Sequence, residues 1–336
     1  MPSIATRKIG HTDVSAIGYG AMSIAGTMYS PGKVLPDEER FEVLDAVVKF
    51  GCTNVDTADA YRDAEDLIGK WFARSPEKRS SIFLATKFGI RGYPSAVYVD
   101  GRPEYVREAL EKSLARLQTS YVDLYYLHRA DRRTPIEHTV GAMAELVKEG
   151  KVKQLGISGV TVNTLRRAHA VHPIAALQIE YSPFNLDAER NGLIDACREL
   201  GIAVVAYSPL GRGLLTGRYR SPDDFDADDG RRRFPQFSHE NFPKILAVVD
   251  VIKAIGEKHD VSAGTVTLAW VLAQGAIPIP GTRSVKYLEE NIAGAKLELS
   301  KEEVQEIRDA AEKCVVDGPR LAAGFEELLP VETPPP

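Results

Sequence analysis

Four residues with side chains suited to proton transfer stand at or just beyond the ends of short apolar runs. Asp56 ends the run that begins at Cys52, and Tyr61 follows five positions later, beyond a turn of mostly small residues. Lys87 ends Phe83-Leu-Ala-Thr-Lys87, and His128 ends Leu124-Tyr-Tyr-Leu-His128. A carboxylate, a phenol, an ammonium and an imidazole together suit delivery of a proton to a carbonyl oxygen. A free phenol has a pKa of about 10, too high for easy donation near neutrality. A neighbouring ammonium is expected to lower it, while a carboxylate keeps that ammonium charged and fixed. A neutral imidazole orients the carbonyl or relays a proton. Taken singly, each residue has a plain structural explanation: a helix cap, a packed ring, a hydrogen-bonded histidine. Lysine at the inward end of a strand, however, demands a partner, and Asp56 is the obvious one. One shared site accounts for all four better than four unrelated roles.

Other chemistries fit poorly. Gly156-Ile-Ser-Gly-Val160 breaks the G-x-S-x-G pattern of a nucleophile elbow. There is no H-E-x-x-H, and Cys52, Cys197 and Cys314 are too far apart to suggest a zinc site or a disulfide framework, so no metal is expected. Gly18-Tyr-Gly20 lacks the third glycine of a dinucleotide fingerprint, Gly211-Arg-Gly213-Leu-Leu-Thr-Gly217 has the wrong spacing, and no Gly-Lys pair is followed by Ser or Thr. Carbonyl reduction needs a hydride, so a nicotinamide cofactor is expected from the later strands.

The four residues must be held by elements that alternate. A hairpin over residues 8–14 leads into a strand at 16–20. Helices at 38–50, 64–73, 103–117, 136–148, 162–170, 191–200, 263–274 and 285–295 then interleave with strands at 53–56, 82–87, 122–127, 154–158, 176–179, 203–207 and 277–279. Gly51, Gly150, Gly201 and Gly275 stand where helices should stop. Eight strands with crossover helices predict an α/β fold of the (β/α)8 TIM-barrel type, with an N-terminal hairpin and additional helices at 242–259 and 301–314. Strand C-terminal ends are the working face of such a barrel, where the four residues fall. A single domain over 1–336 is expected. Residues 209–242 form a long polar connection after the seventh strand, read first as a solvated loop and second as a lid. Residues 315–336 are expected to be a mobile tail.

Composition narrows the partners. Charged residues are 26% and hydrophobic ones 44%, values of a soluble globular protein. The formal net charge of −5 gives no attraction to nucleic acid or to an anionic membrane. Residues 14–32 are uncharged, but glycines, serines and Pro31 interrupt any apolar core, so neither a signal peptide nor a membrane span is expected and the compartment reads as cytoplasmic.

Seven segments in order resemble the aldo-keto reductase superfamily over nearly the whole chain. They are Gly18-Tyr-Gly-Ala-Met22, Asp56-Thr-Ala-Asp-Ala-Tyr61, Thr86-Lys-Phe-Gly89, Asp123-Leu-Tyr-Tyr-Leu-His128, Leu177-Gln-Ile-Glu-Tyr-Ser182, Tyr207-Ser-Pro-Leu-Gly-Arg-Gly213 and Ile279-Pro-Gly-Thr282. Arg167-Ala-His-Ala-Val-His-Pro173, with Arg129 after His128, is similar to the plant and fungal branch that includes perakine reductase. The resemblance implies Asp56, Tyr61, Lys87 and His128 as a catalytic tetrad, with Tyr61 as general acid. It implies NADPH as cofactor, running from Gly20, Met22 and Asp56, past Ser158 and Gln178 at the carboxamide, to Tyr207 against the nicotinamide. Ser208, Leu210, Gly211 and Gly213 would follow the pyrophosphate, and Gly281, Thr282, Arg283, Lys286, Glu290 and Asn291 the adenosine end. Arg283 is expected to take the phosphate that separates NADPH from NADH. Two departures stand out. Gly159 replaces a polar residue that would supply a further carboxamide contact, and Arg62-Asp63-Ala64 is shorter than the usual segment after the tyrosine.

The resulting expectation is an NADPH-dependent reductase of small aldehydes or ketones. Met22, Tyr29, Tyr93, His128 and Arg129 are candidate substrate contacts, with Ile24, Met28, Tyr98 and Phe184 as further apolar walls. Such walls favour aromatic or hydrophobic carbonyls over sugars. From another class, an NADPH-binding regulatory subunit is the alternative; a sugar-phosphate isomerase would have no use for the tyrosine, lysine and aspartate cluster. The oligomeric state is not legible in the sequence.

Overall fold

The computed structural model describes residues 4–25, 34–92, 97–319 and 321–336. Eight parallel strands pair in chain order: β1 Tyr19–Gly20, β2 Asn54–Asp56, β3 Phe83–Phe88, β4 Val122–Leu127, β5 Val152–Ser158, β6 Ile174–Glu180, β7 Ala203–Tyr207 and β8 Ile277–Pro278. The sheet closes on itself. Gly18 N donates to Pro278 O at 2.9 Å and Gly20 N donates to Pro280 O at 3.2 Å, which joins the last strand to the first and leaves no open edge. The two backbones meet so closely that a Cβ on Gly20 would lie 2.6 Å from Ile279 O, and one on Gly281 2.7 Å from Gly20 O.

The terminal strands are shorter than expected. Ala16 N bonds Ala5 O beside the hairpin, which withholds the start of the predicted first strand from the barrel. Pro278 and Pro280 cannot donate to a ladder, which shortens the last. The hairpin pairs Thr6–Ile9 with Thr12–Ser15 and plugs the bottom of the barrel. Its Ile9 and Val14 pack with Phe83, Leu124, Ala176, Val205 and Ile277 in one apolar cluster. Gln154 ties it in place, accepting from His11 N at 3.2 Å and donating to Thr12 Oγ1 at 3.0 Å.

Strand alternation explains the rest. Phe83 and Ala85 of β3 face the barrel interior, whereas Leu84 and Phe88 join the larger core against the helices. The next inward position is Lys87. Running the same period along the neighbouring strands puts Asp56, His128, Ser158, Gln178 and Tyr207 in the top inward layer, above an apolar plug.

Helices occupy the expected places, from Asp37–Lys49 to Val285–Ala293, and Phe242–His259 and Lys301–Lys313 stand outside the eight-unit count. Ser300 and Glu303 form a reciprocal capping box at the start of the last of these. The predicted 191–200 helix is instead Asp187–Arg190 and Leu193–Leu200, broken at left-handed Gly192.

One expectation is corrected. Residues 209–242 do not form a solvated loop: they run through four short 3-10 turns around a small aromatic core. Tyr219 stacks on Phe225 at 4.2 Å, and Phe237 meets Phe225 edge-on at 5.2 Å. The acidic run and the arginines satisfy each other there, with Arg231 on Asp229 at 2.7 Å. The described part of the tail makes specific contacts with the barrel. Val331 bridges to Val160, and Arg167 donates to Thr333 O at 2.9 Å and Pro334 O at 2.6 Å.

Candidate active site

The inward top layer converges on Lys87. Its ammonium, with no exposed surface, donates to Asp56 Oδ1 at 2.5 Å and Thr57 O at 2.7 Å, and reaches Tyr61 Oη at 3.4 Å. Gln178 Nε2 donates to the other Asp56 oxygen at 2.8 Å. The Tyr61 and His128 rings meet edge to face at 5.6 Å. Asp56, Tyr61, Lys87 and His128 are therefore one cluster.

Burial sets the charge states. It opposes charge on Lys87, yet Asp56 and Tyr61 outweigh it and hold the ammonium pKa up. Asp56 is also pushed up by burial, against the pull of Lys87; the short contact and Gln178 favour an ammonium–carboxylate pair. The Tyr61 phenol departs from expectation. Burial raises it above 10.0, and Lys87 only partly offsets this. At rest the phenol therefore keeps its proton. Burial, Lys87 and Arg129 push the His128 imidazole well below 6.5, so it is neutral. Its Nδ1 has no hydrogen-bond partner among the described residues.

Two cavities meet over this cluster. The smaller, of about 160 Å³, is lined by Met22, Tyr61, His128, Arg129 and Tyr207, and roofed by Phe234, Leu321, Phe325 and Leu328. Sequence reasoning missed the roof, and also Arg62, Ile90 and Arg212 in the wall. Tyr29, Tyr93 and Met28 lie outside the described residues. Ile24, Tyr98 and Phe184 do not line the cavity.

The larger cavity is a groove of about 530 Å³ from Gly20, Met22, Asp56 and Tyr61 to Asn291. Gln178, Tyr207, Ser208, Leu210, Gly213, Gly281, Thr282, Lys286 and Glu290 all line it, as called from the sequence. Gly211 does not; a Cβ there would strike Phe184 at 2.2 Å, so packing requires that glycine. Ser158 sits behind Arg129, which donates to its Oγ at 2.8 Å. Arg283 is absent from the lining, whereas Arg218, Tyr219, Arg231 and Tyr287 are present and were missed. The signal for Arg218 and Tyr219 was available: both follow the glycine-rich turn directly.

The groove suits an elongated, phosphate-bearing nucleotide. Ser208, Gly211, Arg212, Gly213 and Gly217 all have positive φ, and the tight turn they form brings Ser208, Leu210, Arg212 and Gly213 to the groove wall. A Cβ on Gly213 would lie 3.3 Å from Arg231 Nη1 and from Tyr219, filling that cradle. Cations and an aromatic ring crowd its far end, where the Arg218 guanidinium lies 4.6 Å from the Tyr287 ring.

Comparison with known proteins agrees with this geometry. The aldo/keto reductase family profile matches residues 16–312. An aldo-keto reductase of Strobilurus tenacellus is 58% identical over 323 residues, 94% of this chain and 95% of that protein. The NADP(+) aldo-keto reductase yakc of Schizosaccharomyces pombe is 45% identical over 341 residues, 99% of each. Among solved structures, a glycerol dehydrogenase of Gluconobacter oxydans superposes with a TM-score of 0.83 at 29% identity, covering 96% of this chain and 100% of its own.

Proposed function

The chain belongs to the aldo/keto reductase family, and from that premise we propose that it reduces aldehydes or ketones to alcohols with NADPH, using Tyr61 as the general acid. The observation that carries this reading is the position of Tyr61 Oη. It lies 3.4 Å from a buried, paired ammonium and opens into both cavities at once. NADPH, when bound, supplies the hydride; every other requirement falls on the chain itself. Tyr61 donates its proton to the carbonyl oxygen, and Lys87, fixed by Asp56, stabilises the phenolate left behind. Neutral His128 has the edge needed to orient the carbonyl. Gln178, Ser158 and Tyr207 would hold the nicotinamide, the 208–213 turn the pyrophosphate, and Lys286 with Asn291 the adenosine end. Arg283 stays a candidate for the extra phosphate only through the helix start beside it, since it does not line the groove.

The roof supports apolar substrates. Met22, Phe234, Leu321, Phe325 and Leu328 surround the small cavity, which fits an aromatic or branched carbonyl better than a polyol. We place the chain in the perakine-reductase-like branch on its His128-Arg129 and Arg167-to-Pro173 segments, and in the cytoplasm on its unpaired, buried Cys52 and Cys197. NADPH consumption against a panel of aromatic, aliphatic and sugar carbonyls tests the reading. Turnover is expected with aromatic aldehydes and little with sugars. Tight NADPH binding with no turnover of any carbonyl would instead return the regulatory-subunit alternative.

A further inference from the structure

Gly159 reads as a lost contact in the sequence, but its surroundings give it another meaning. Its φ is +67°, and a Cβ added there would stand 2.6 Å from Cδ of Arg129 and 3.4 Å from the Arg129 Cα. No other side chain fits that position while Arg129 keeps its path. The glycine on the end of β5 and the arginine on the end of β4 therefore form one feature: the first vacates the space through which the second runs.

Arg129 uses that space to join residues of three strands. Nη1 donates to His128 O and to Ser158 Oγ, each at 2.8 Å, and Nη2 donates to Tyr207 Oη at 3.2 Å. A guanidinium has five N–H donors, and these bonds use three. Of the remaining two, the Nε donor is buried and has no acceptor among the described residues. That Nε is sealed from the cavities, so Arg129, which lines the small cavity beside Tyr207, a residue shared with the groove, is anchored on one side and has one Nη2 N–H left to donate. A fixed cation with a spare donor suits a neutral carbonyl oxygen that must be held in one orientation.

We propose that Arg129, in the space left open by Gly159, donates to the carboxamide oxygen of the bound nicotinamide alongside Ser158 and fixes the Tyr207 hydroxyl beside it. The proposal rests on the NADPH reading above and moves Arg129 from the substrate wall to the cofactor-holding set. Arginine from β4 then supplies the contact that the residue after Ser158 no longer makes. The same charge acts on Tyr61, where it favours the phenolate.

The test is binding, without turnover. NADP(+) and its thionicotinamide analogue differ only in a carbonyl oxygen replaced by sulfur, a much weaker acceptor, and calorimetry gives the affinity of each. The wild type should prefer NADP(+) by about tenfold, the size of one charge-assisted hydrogen bond. Arg129→Met should lower NADP(+) affinity by a similar factor and abolish the preference. Gly159→Ala, which displaces the arginine without removing it, should do part of the same. Arg129→Lys should recover little, because an ammonium cannot span Ser158 and Tyr207 together. Adenosine 2′,5′-bisphosphate, which has no nicotinamide, should bind all four proteins equally; this separates a local effect from a damaged fold. If Arg129→Met keeps the wild-type preference for NADP(+), the proposal is overturned. It is equally overturned if nucleotide binding is unchanged while KM rises selectively for 4-carboxybenzaldehyde over benzaldehyde, since the guanidinium would then face the substrate. Failure of the wild type to bind NADP(+) at all removes the function reading itself, and this proposal with it.

Discussion

Adjacent residues of β3, Thr86 and Lys87, point to opposite sides of the barrel wall, and each meets a buried carboxylate. Inward, Lys87 pairs with Asp56 below Tyr61. Outward, Thr86 Oγ1 donates to Glu65 Oε1 at 2.6 Å, and Arg116 closes that cluster by donating to Glu65 at 3.1 Å, Asp66 at 3.0 Å and Asp59 O at 3.2 Å. The Glu65 carboxylate is as fully buried as the Lys87 ammonium. Burial of charge therefore does not separate the two. The difference lies in what each cluster leaves open. The outer one spends its donors on the turn that carries Tyr61, including a bond from Arg116 to Arg62 O, and faces packed helix. The inner one presents a phenol and an imidazole to a cavity. The first is a brace and the second is a site.

Removing the Tyr61 hydroxyl breaks the inner cluster where it matters most. Tyr61→Phe should lower kcat by roughly 10²–10⁴, the usual general-acid contribution, while NADPH affinity stays near wild type. Steady-state rates and a cofactor titration check both halves; more than about a tenth of wild-type turnover would place the general acid elsewhere. Lys87→Met should be at least as damaging and should also cost stability, because Asp56 would be left buried without its cation.

The outer cluster should respond in the opposite proportion. Arg116→Met takes the cation from Glu65 and releases the turn at Arg62, a non-glycine residue held at φ 48°. Breaking a buried pair costs about 3–5 kcal/mol, and the partial exposure of Arg116 reduces the expectation to roughly 2 kcal/mol. Urea unfolding measures that loss. Activity of the remaining folded protein should fall less than about tenfold, since Lys87 still holds Tyr61 from inside. A hundredfold fall in kcat at unchanged stability would erase the distinction between brace and site.

The inner cluster was legible in the sequence because strand periodicity places it. In Phe83-Leu-Ala-Thr-Lys87 every second residue faces inward, and the same alternation carries Asp56, His128 and Gln178 to one layer. The closure of the barrel was legible as a count of strands, though not the short seam, where prolines replace ladder donors. The roof was not legible. Leu321, Phe325 and Leu328 lie in a polar, glycine-containing tail, and their spacing gains meaning only from the cavity they cover. Arg129 and Gly159 were each visible, but their relation depends on the register of β4 against β5. The direction of the Tyr61 shift also depends on structure, because proximity to a cation is written in motif spacing whereas the depth of burial is not.

The smallest expected effect sharpens the comparison from the brace side. Asp59 keeps some accessible surface as a residue, but its Oδ1 is sealed off and has no hydrogen-bond partner among the described residues. Burial, and then Glu65, push its carboxyl up to about 7 from an ordinary 3.8. Arg116 and Lys87 offset this only partly. The native protein therefore binds a proton that the unfolded chain releases near pH 4, so stability is fullest below that pH. It declines as pH rises toward 7, and the loss persists above it. Asn at this position is neutral throughout and close to the protonated acid in shape. Asp59→Asn should thus flatten the profile, matching wild type near pH 4 and exceeding it at pH 8 by about 1–2 kcal/mol, less than the full shift because the surroundings relax. Urea unfolding of both proteins from pH 4 to 8 decides it: parallel profiles would mean that Asp59 is ionised across the range, with Arg116 neutralising it as completely as Lys87 does Asp56.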